Sequence, residues 1–392
     1  MKDILKARQN VPVKLWIPAN EAESDALDQL KNVADLPYTF KHVAGMPDIH
    51  TGKGATVGSV VAMKGAICPC IVGVDIGCGM DAMKTTLERG QLSTRKLIEI
   101  RDAILERIPV GFNEHKSVHR DIKMLTSLWK SFEEIEASEL KALQGKAMSQ
   151  LGSLGGGNHF IELSYDENDS VWIVLHSGSR NIGKCIADYH TKVAMAQQHN
   201  QTNLPDKALS SLLEGTKEFD SYFHDMIWAQ EYAYRNRTRM LDLIIGYLEH
   251  IFKPDLVTEH IACHHNFTQK ETHFDEQVYV TRKGAIEAKV GQKGIIPGSM
   301  GNKSYIVEGL GNPEAFCSAP HGAGRKMSRG KAKAKYTFDD LKASMEGIVN
   351  NATKSTVDEI GNAYKSISKV MEYASDLVVQ RHELVQLLNI KG

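Results

Sequence analysis

The sequence predicts an α+β fold with a β-sheet core and surrounding helices, on three observations. Apolar runs of β type lie between glycine turns, as at residues 58–63 and 66–74. Elsewhere apolar residues recur at three- and four-residue steps, the spacing of one helix face. Strand-like and helix-like stretches come in blocks, without the regular alternation of a parallel βαβ sheet. No Pro/Ser/Gly-rich linker or internal repeat marks a boundary, so residues 1–392 are expected to form one large domain.

The elements follow in order. After the first strands, Leu97, Ile100, Ile104 and Ile108 place one apolar stripe on a helix over 93–108, stopped by Pro109. A second helix is expected over 133–151. Strands return at 159–163 and 171–175, each bordered by Gly, Ser or Asp. From 210 to 252 there is no proline, and Trp228, Tyr232, Met240 and Leu243 keep a helical rhythm, read as two long core helices. Strands over 277–282 and 304–307 follow, then helices over 338–351 and 368–388.

Composition narrows the class. With 42% hydrophobic and 24% charged residues among 392, the chain can bury a large core. Its first residues, MKDILKARQNVPVKLW, lack the apolar run of a signal peptide, and the apolar stretch 66–74 is too short to span a bilayer. A cytoplasmic protein with no membrane contact is therefore expected. The six cysteines (68, 70, 78, 185, 263, 317) are irregularly spaced and read as reduced thiols. A net charge of −1 argues against a uniformly basic surface, although Arg325, Lys326, Arg329, Lys331, Lys333 and Lys335 concentrate cations in one short stretch.

Histidine, cysteine and aspartate gather in glycine-rich turns at the ends of apolar runs, where strands deliver side chains to a site. In Val72-Gly-Val-Asp-Ile-Gly-Cys-Gly-Met80, Asp75 and Cys78 can converge on one cation. In Gly152-Ser-Leu-Gly-Gly-Gly-Asn-His-Phe-Ile-Glu162, strand alternation puts Asn158, Phe160 and Glu162 on one face and His159 on the other. Leu175-His-Ser-Gly-Ser-Arg180 offers His176 and the planar fork of Arg180. In Cys263-His-His-Asn266 only one of the two histidines should reach a given site, since neighbours on a strand face opposite ways. Ala319-Pro-His-Gly-Ala-Gly-Arg325 exposes His321 beside small residues, and Ile296-Pro-Gly-Ser-Met-Gly301 is another loop rich in accessible N–H groups. Each alone reads more simply as a structural turn, but five in one chain favour metal or phosphate chemistry.

Together these segments resemble the RtcB-type RNA-splicing ligases. The resemblance is carried by MPDIHTGKGATVGSV (46–60), VGVDIGCGM, LGGGNHFIE, LHSGSRNIG, CHHNF, VTRKGA, IIPGSMGNKSYIV, APHGAGRKMSR and the terminal Lys391-Gly392, in family order along nearly the whole chain. It implies an RtcB-like fold and an enzyme that uses GTP and two divalent ions, usually manganese. Such an enzyme joins RNA 3′-phosphate or 2′,3′-cyclic phosphate ends to 5′-hydroxyl ends, in tRNA splicing or RNA repair.

By motif, Asp75, Cys78, His159, His176 and His265 are then metal ligands, with Cys78 bridging, and His321 is the nucleophile that carries guanylate. The nucleotide pocket is expected to draw on Asn158, His159, Phe160, Ile161, Glu162, His265, Asn266, Pro297, Gly298, Ser299, Met300, Ser304, His321, Gly322, Ala323, Gly324, Tyr364 and Lys391. RNA phosphates would fall to Arg180, Lys283, Arg325 and Arg329. An activating helper protein is compatible with the resemblance, and the sequence is silent on it.

Two rival readings remain at this stage. A two-metal phosphohydrolase or cyclic phosphodiesterase needs the ions but no nucleotide. A non-catalytic RNA-binding subunit needs neither, and the presence of every candidate ligand and of His321 weighs against it.

Overall fold

The computed structural model describes residues 1–201 and 204–392. Two sheets face one another. The first has six strands in the order Asp3–Leu5, Val13–Leu15, Thr39–His50, Val57–Met63, Glu276–Lys283 and Asn266–His273. The second runs Val257–His264, Gly79–Glu88, Ser170–Ser177, Phe160–Tyr165, Val378–Lys391, Ser304–Gly309 and Lys293–Ile296, with Val349–Asn350 pairing alongside Val378–Lys391. Trp16, Met46, Val60 and Val280 from the first meet Met80, Trp172, Val174 and Leu384 from the second in one apolar core.

Helices cover the outer faces. Ser24–Ala34 packs on the first sheet through Leu30 and Val33. Thr94–Arg107 and the long Lys217–Ile251 pack on the second, where Ile161, Leu163, Ile173 and Leu175 point away from the shared core. The α+β expectation holds, and among the described residues no helix is long and apolar enough to cross a membrane.

Several local expectations are corrected. The helix expected over 93–108 is present as Thr94–Arg107, with the Ser93 hydroxyl accepting from Lys96 N as its cap. The helix expected over 133–151 is three short ones, Thr126–Glu133, Ser138–Lys141 and Gln144–Gln150. Two helices over 210–252 are one of 35 residues, because its cap at Thr216 is followed by no breaker strong enough to divide it. The apolar run 66–74 is a two-residue strand, Ala66–Ile67, followed by the helical turn Pro69–Val72, where proline suits the first turn.

The largest correction is at the end. The helix expected over 368–388 stops at Tyr373, and Val378–Lys391 is a central strand. It is hydrogen-bonded to Ser304–Gly309 on one side and Phe160–Tyr165 on the other. Leucines at 384, 387 and 388 satisfy helical spacing, but Leu384, Leu388 and Ile390 are buried at the even spacing of a strand face, and filling the sheet prevails over local propensity.

Candidate metal and nucleotide site

The strand ends converge on one group of ligand atoms. Asp75 and Cys78 lie in the turn before Gly79–Glu88, and His176 is near the end of Ser170–Ser177. His159 immediately precedes Phe160–Tyr165, and His265 sits between Val257–His264 and Asn266–His273. Cys78 Sγ lies 3.4 Å from His159 Nε2 and 3.3 Å from His176 Nε2. His176 Nε2 is 3.2 Å from His265 Nε2, and His159 Nε2 is 3.0 Å from Asp75 Oδ2. Donors bound tetrahedrally at roughly 2.0–2.3 Å from an ion stand roughly 3.3–3.8 Å apart, so this spacing is close to that of a shared cation.

The atoms form two groups, Cys78/His176/His265 and Asp75/Cys78/His159, with the sulfur common to both. Burial drives His176 and His265 well below the usual imidazole range, which keeps them neutral with lone pairs to offer. Burial, then the Asp75 carboxylate, pushes the Cys78 thiol up, a balance that a nearby cation reverses. Among the described residues the buried His265 Nδ1 atom has no hydrogen-bond partner. His159 is aimed by Nδ1, 3.0 Å from the Leu154 carbonyl. Gly178 makes room for Asp75, since a Cβ there would lie 2.1 Å from its Oδ1. The donor set thus fits divalent ions, and its sulfur and nitrogen content suits first-row transition metals.

Of the adjacent pair, His265 joins the cluster while His264 turns to the Gly77 carbonyl at 2.9 Å. One buried cation braces this arrangement from behind. Arg237 pairs with Asp81, and its Nη1 donates to the carbonyls of Gly77 and Ser177, neighbours of Cys78 and His176. Burial pushes the Asp81 carboxyl up, but Arg237 and His260 more than offset it and hold it below the usual range. Arg237→Met leaves Asp81 without its main partner in a fully buried place, so a loss of about 3–5 kcal/mol in urea unfolding is expected.

His321 follows the strand Ser318–Pro320 and stands next to the cluster, its ring 4.8 Å from that of His265. Asp48 Oδ2 accepts from the His321 backbone N–H at 3.1 Å and lies 2.7 Å from Nδ1. With Nδ1 as donor, Nε2 keeps its lone pair. Sequence reading missed Asp48. It lies within the quoted segment MPDIHTGKG, as a buried carboxylate on the strand Thr39–His50, but its partner is far off in sequence.

A cavity of about 1120 Å³ opens over Asp75, Cys78, His176, His265 and His321. Its wall includes Asn158, Phe160 and Glu162, Asn266, the loop 297–300, the turn 321–324, Tyr364 and Lys391. His159 lies behind this surface. Ile161 points into the core under the second sheet, and Ser304 is buried with its hydroxyl unpartnered, so neither side chain is on the wall.

Among the expected RNA contacts, Lys283, Arg325 and Arg329 line the cavity. Lys283 Nζ donates to the Lys53 and Cys70 carbonyls. Arg180 is not on the wall, and donates to Ser153 Oγ and the Gly111 carbonyl.

Glu359, which no motif pointed to, ties the far end together. It accepts from Tyr364 Oη at 2.6 Å and Lys391 Nζ at 3.2 Å, and pairs with Arg325 and Arg329. Burial would raise its carboxyl, but Lys391, Arg329, Tyr364 and Arg325 bring it down to about 2. The basic stretch is therefore partly neutralised, with Lys333 also beside Asp358.

Glu162 behaves oppositely. Burial pushes its carboxyl up to about 8, against Lys391 and a hydrogen bond from Asn389. Its Oε1 accepts from Gln386 and Asn389, and Oε2 has no partner among the described residues. Its folded pKa exceeds its unfolded one, so its stabilising contribution is complete below about 4.5 and is lost as pH rises through about 8. The ligand-free Tm is expected to fall over that window, and less steeply in Glu162→Gln.

Fold and cleft define an α+β protein with a His/Cys/Asp metal-binding cluster at the floor of a large cavity. Residues 29–392 match the family described as tRNA-splicing ligase RtcB, and the chain belongs to that family. It is 44% identical to "RNA-splicing ligase RtcB" of Escherichia coli strain K12 over an alignment of 406 residues covering 99% of each chain. It is 32% identical to "tRNA-splicing ligase RtcB" of Methanococcus maripaludis, over 96% of this chain and 92% of that one.

Proposed function

We propose that the chain, over 1–392, is an RNA ligase that uses GTP and manganese to join RNA 3′-phosphate or 2′,3′-cyclic phosphate ends to 5′-hydroxyl ends. The observation that carries this reading is His321, which is oriented through Nδ1 by Asp48 and packed against His265 of the metal cluster. A hydrolase could use such a histidine as a general acid, so the family match carries the choice of ligase over hydrolase. The two cations, when bound at Asp75, Cys78, His159, His176 and His265, supply charge neutralisation and Lewis-acid polarisation at phosphate oxygens.

His321 Nε2, unprotonated, attacks the α-phosphorus of GTP. An N–P bond forms, the bond to the β-phosphate oxygen breaks, and pyrophosphate leaves. The ring gains positive charge, which the Asp48 carboxylate at Nδ1 offsets. A cyclic end is opened by water to a 3′-phosphate. An oxygen of that phosphate then takes GMP from His321, giving an RNA–ppG end and returning the lone pair to Nε2. The 5′-hydroxyl oxygen attacks the RNA-side phosphorus, its proton is released, and GMP departs. Activation is needed because a bare 3′-phosphate has only a poor leaving group.

In this reading Phe160, Glu162 and Tyr364 surround the guanylate, and Glu359 holds Lys391 and Tyr364 in place for it. The test is to incubate purified protein with RNAs carrying 3′-phosphate and 5′-hydroxyl ends, GTP and Mn2+. Joined product that requires GTP is expected. Metal-dependent loss of the terminal phosphate with no joining would favour the phosphohydrolase instead.

A further inference from the structure

Phe112 is 103% exposed, the most exposed large apolar side chain in the chain's described residues. Single apolar residues at a surface are ordinary. Phe112 differs in two respects, the order of its loop and its position.

The loop is held firmly. Val110 bridges to Gly155, and Gly111 N donates to Gly155 O at 3.0 Å. Leu154 N donates to Pro109 O, His115 N to Ser149 O, and His115 Nε2 lies 3.1 Å from Gly152 O. Arg180 Nη2 adds a bond to Gly111 O at 3.0 Å. A phenyl ring on an anchored loop has lost backbone freedom already, so a flat ligand meeting it forfeits little more.

Its position ties it to the cleft. The turn 155–157 that anchors Gly111 is packed between the loop and the site. A Cβ at Gly155 would lie 1.9 Å from Arg180 Nη1 and 2.6 Å from His159 Nδ1, and one at Gly157 would lie 3.1 Å from Arg329 Nη2. Phe112 thus follows Gly111, which is bonded to a turn that leads into Asn158 of the cavity wall and packs against Arg329, also on that wall. Beyond Phe112 in sequence, Lys116, Arg120 and Lys123 are exposed. The acidic groups of the loop are Glu114 and Asp121, and Asp121 is paired with Arg239 at 2.8 Å.

An exposed aromatic ring on an anchored loop, joined through the 155–157 turn to the wall of the cleft and followed in sequence by exposed cations, matches how single-stranded nucleic acid is held without sequence preference. Its loop neighbours Gly111, Asn113 and Glu114 are not the apolar side chains of a protein-docking face. We propose that Phe112 stacks on an unpaired base of the RNA entering the cleft, with Lys116, Arg120 and Lys123 meeting the phosphates beyond. The proposal rests on the ligase reading above and specifies where its RNA leaves the reactive centre.

Phe112→Trp gives a direct probe, because the four native tryptophans, Trp16, Trp129, Trp172 and Trp228, are all 5% exposed or less. Adding a single-stranded RNA oligonucleotide with a 3′-phosphate should quench the red-shifted emission of the introduced indole and leave the parent's emission unchanged. Phe112→Ala should bind the same oligonucleotide about tenfold more weakly, with Phe112→Trp restoring affinity. Labelling by GTP, measured on the same preparations, separates the two levels of the reading. If the parent is labelled and binds RNA but Phe112→Trp is not quenched and Phe112→Ala binds as tightly, the stacking role is overturned and the ligase reading stands. If the parent neither labels nor binds RNA, both are overturned.

Discussion

His321→Ala is expected to abolish GTP-dependent labelling of the protein and to reduce RNA joining by on the order of ten-thousandfold or more. His265 and His176, beside His321, belong to the metal cluster, and it is the His321 ring, not that of His50, that packs near His265. The variant should fold and bind metal, since the His321 side chain contributes no atom to either metal group. An RNA already carrying the ppG end should still be joined, because the final attack by the 5′-hydroxyl needs no histidine. Gel analysis of the two substrates side by side separates loss of activation from collapse of the site.

Cys78→Ala should lose both ions and bring joining down by roughly a thousandfold or more, because its sulfur is the atom common to both groups of ligands. Without metal the variant should be only about 1–2 kcal/mol less stable than the parent in urea, the cost of a small buried truncation. The comparison must be made metal-free, since bound ions stabilise the parent by mass action. Metal binding by the parent should also release protons. Burial and Asp75 push the Cys78 thiol up, so the proton must be displaced as the ion binds, and apparent affinity should rise with pH. Metal content by elemental analysis and proton release in weakly buffered solution check both points. Full metal occupancy in Cys78→Ala would remove the sulfur from the site.

Much of the site was legible because Asp75, Cys78, His159 and His176 stand at the ends of apolar runs within a few residues of glycine, so their neighbours declare both the strand and the turn. Alternation alone put His159 opposite Phe160 and Glu162, and the cavity wall has that division. What stayed illegible depends on long-range pairing. Asp48 and His321 meet across the two halves of the chain, and nothing local to Asp48 announces it. Glu359 lies in the short 3-10 segment Lys354–Glu359, with no periodicity to mark a buried carboxylate, yet it gathers Tyr364, Lys391 and two arginines.

The carboxy-terminal strand shows the same limit from the side of the fold. Its leucines fit a helix as well as a strand, and only the gap between Phe160–Tyr165 and Ser304–Gly309 decides. That decision also delivers Lys391 to Glu359 and Asn158, which a helix over 368–388 would not explain.

The most direct measurement is to label the protein with α-phosphate-labelled GTP and Mn2+, digest it at alkaline pH and map the adduct by mass spectrometry. The account predicts GMP on His321, attached through the Nε2 that Asp48 leaves open, with the label lost in acid. An adduct on a lysine such as Lys283 or Lys391, or RNA joined by protein that never carries GMP, would contradict it.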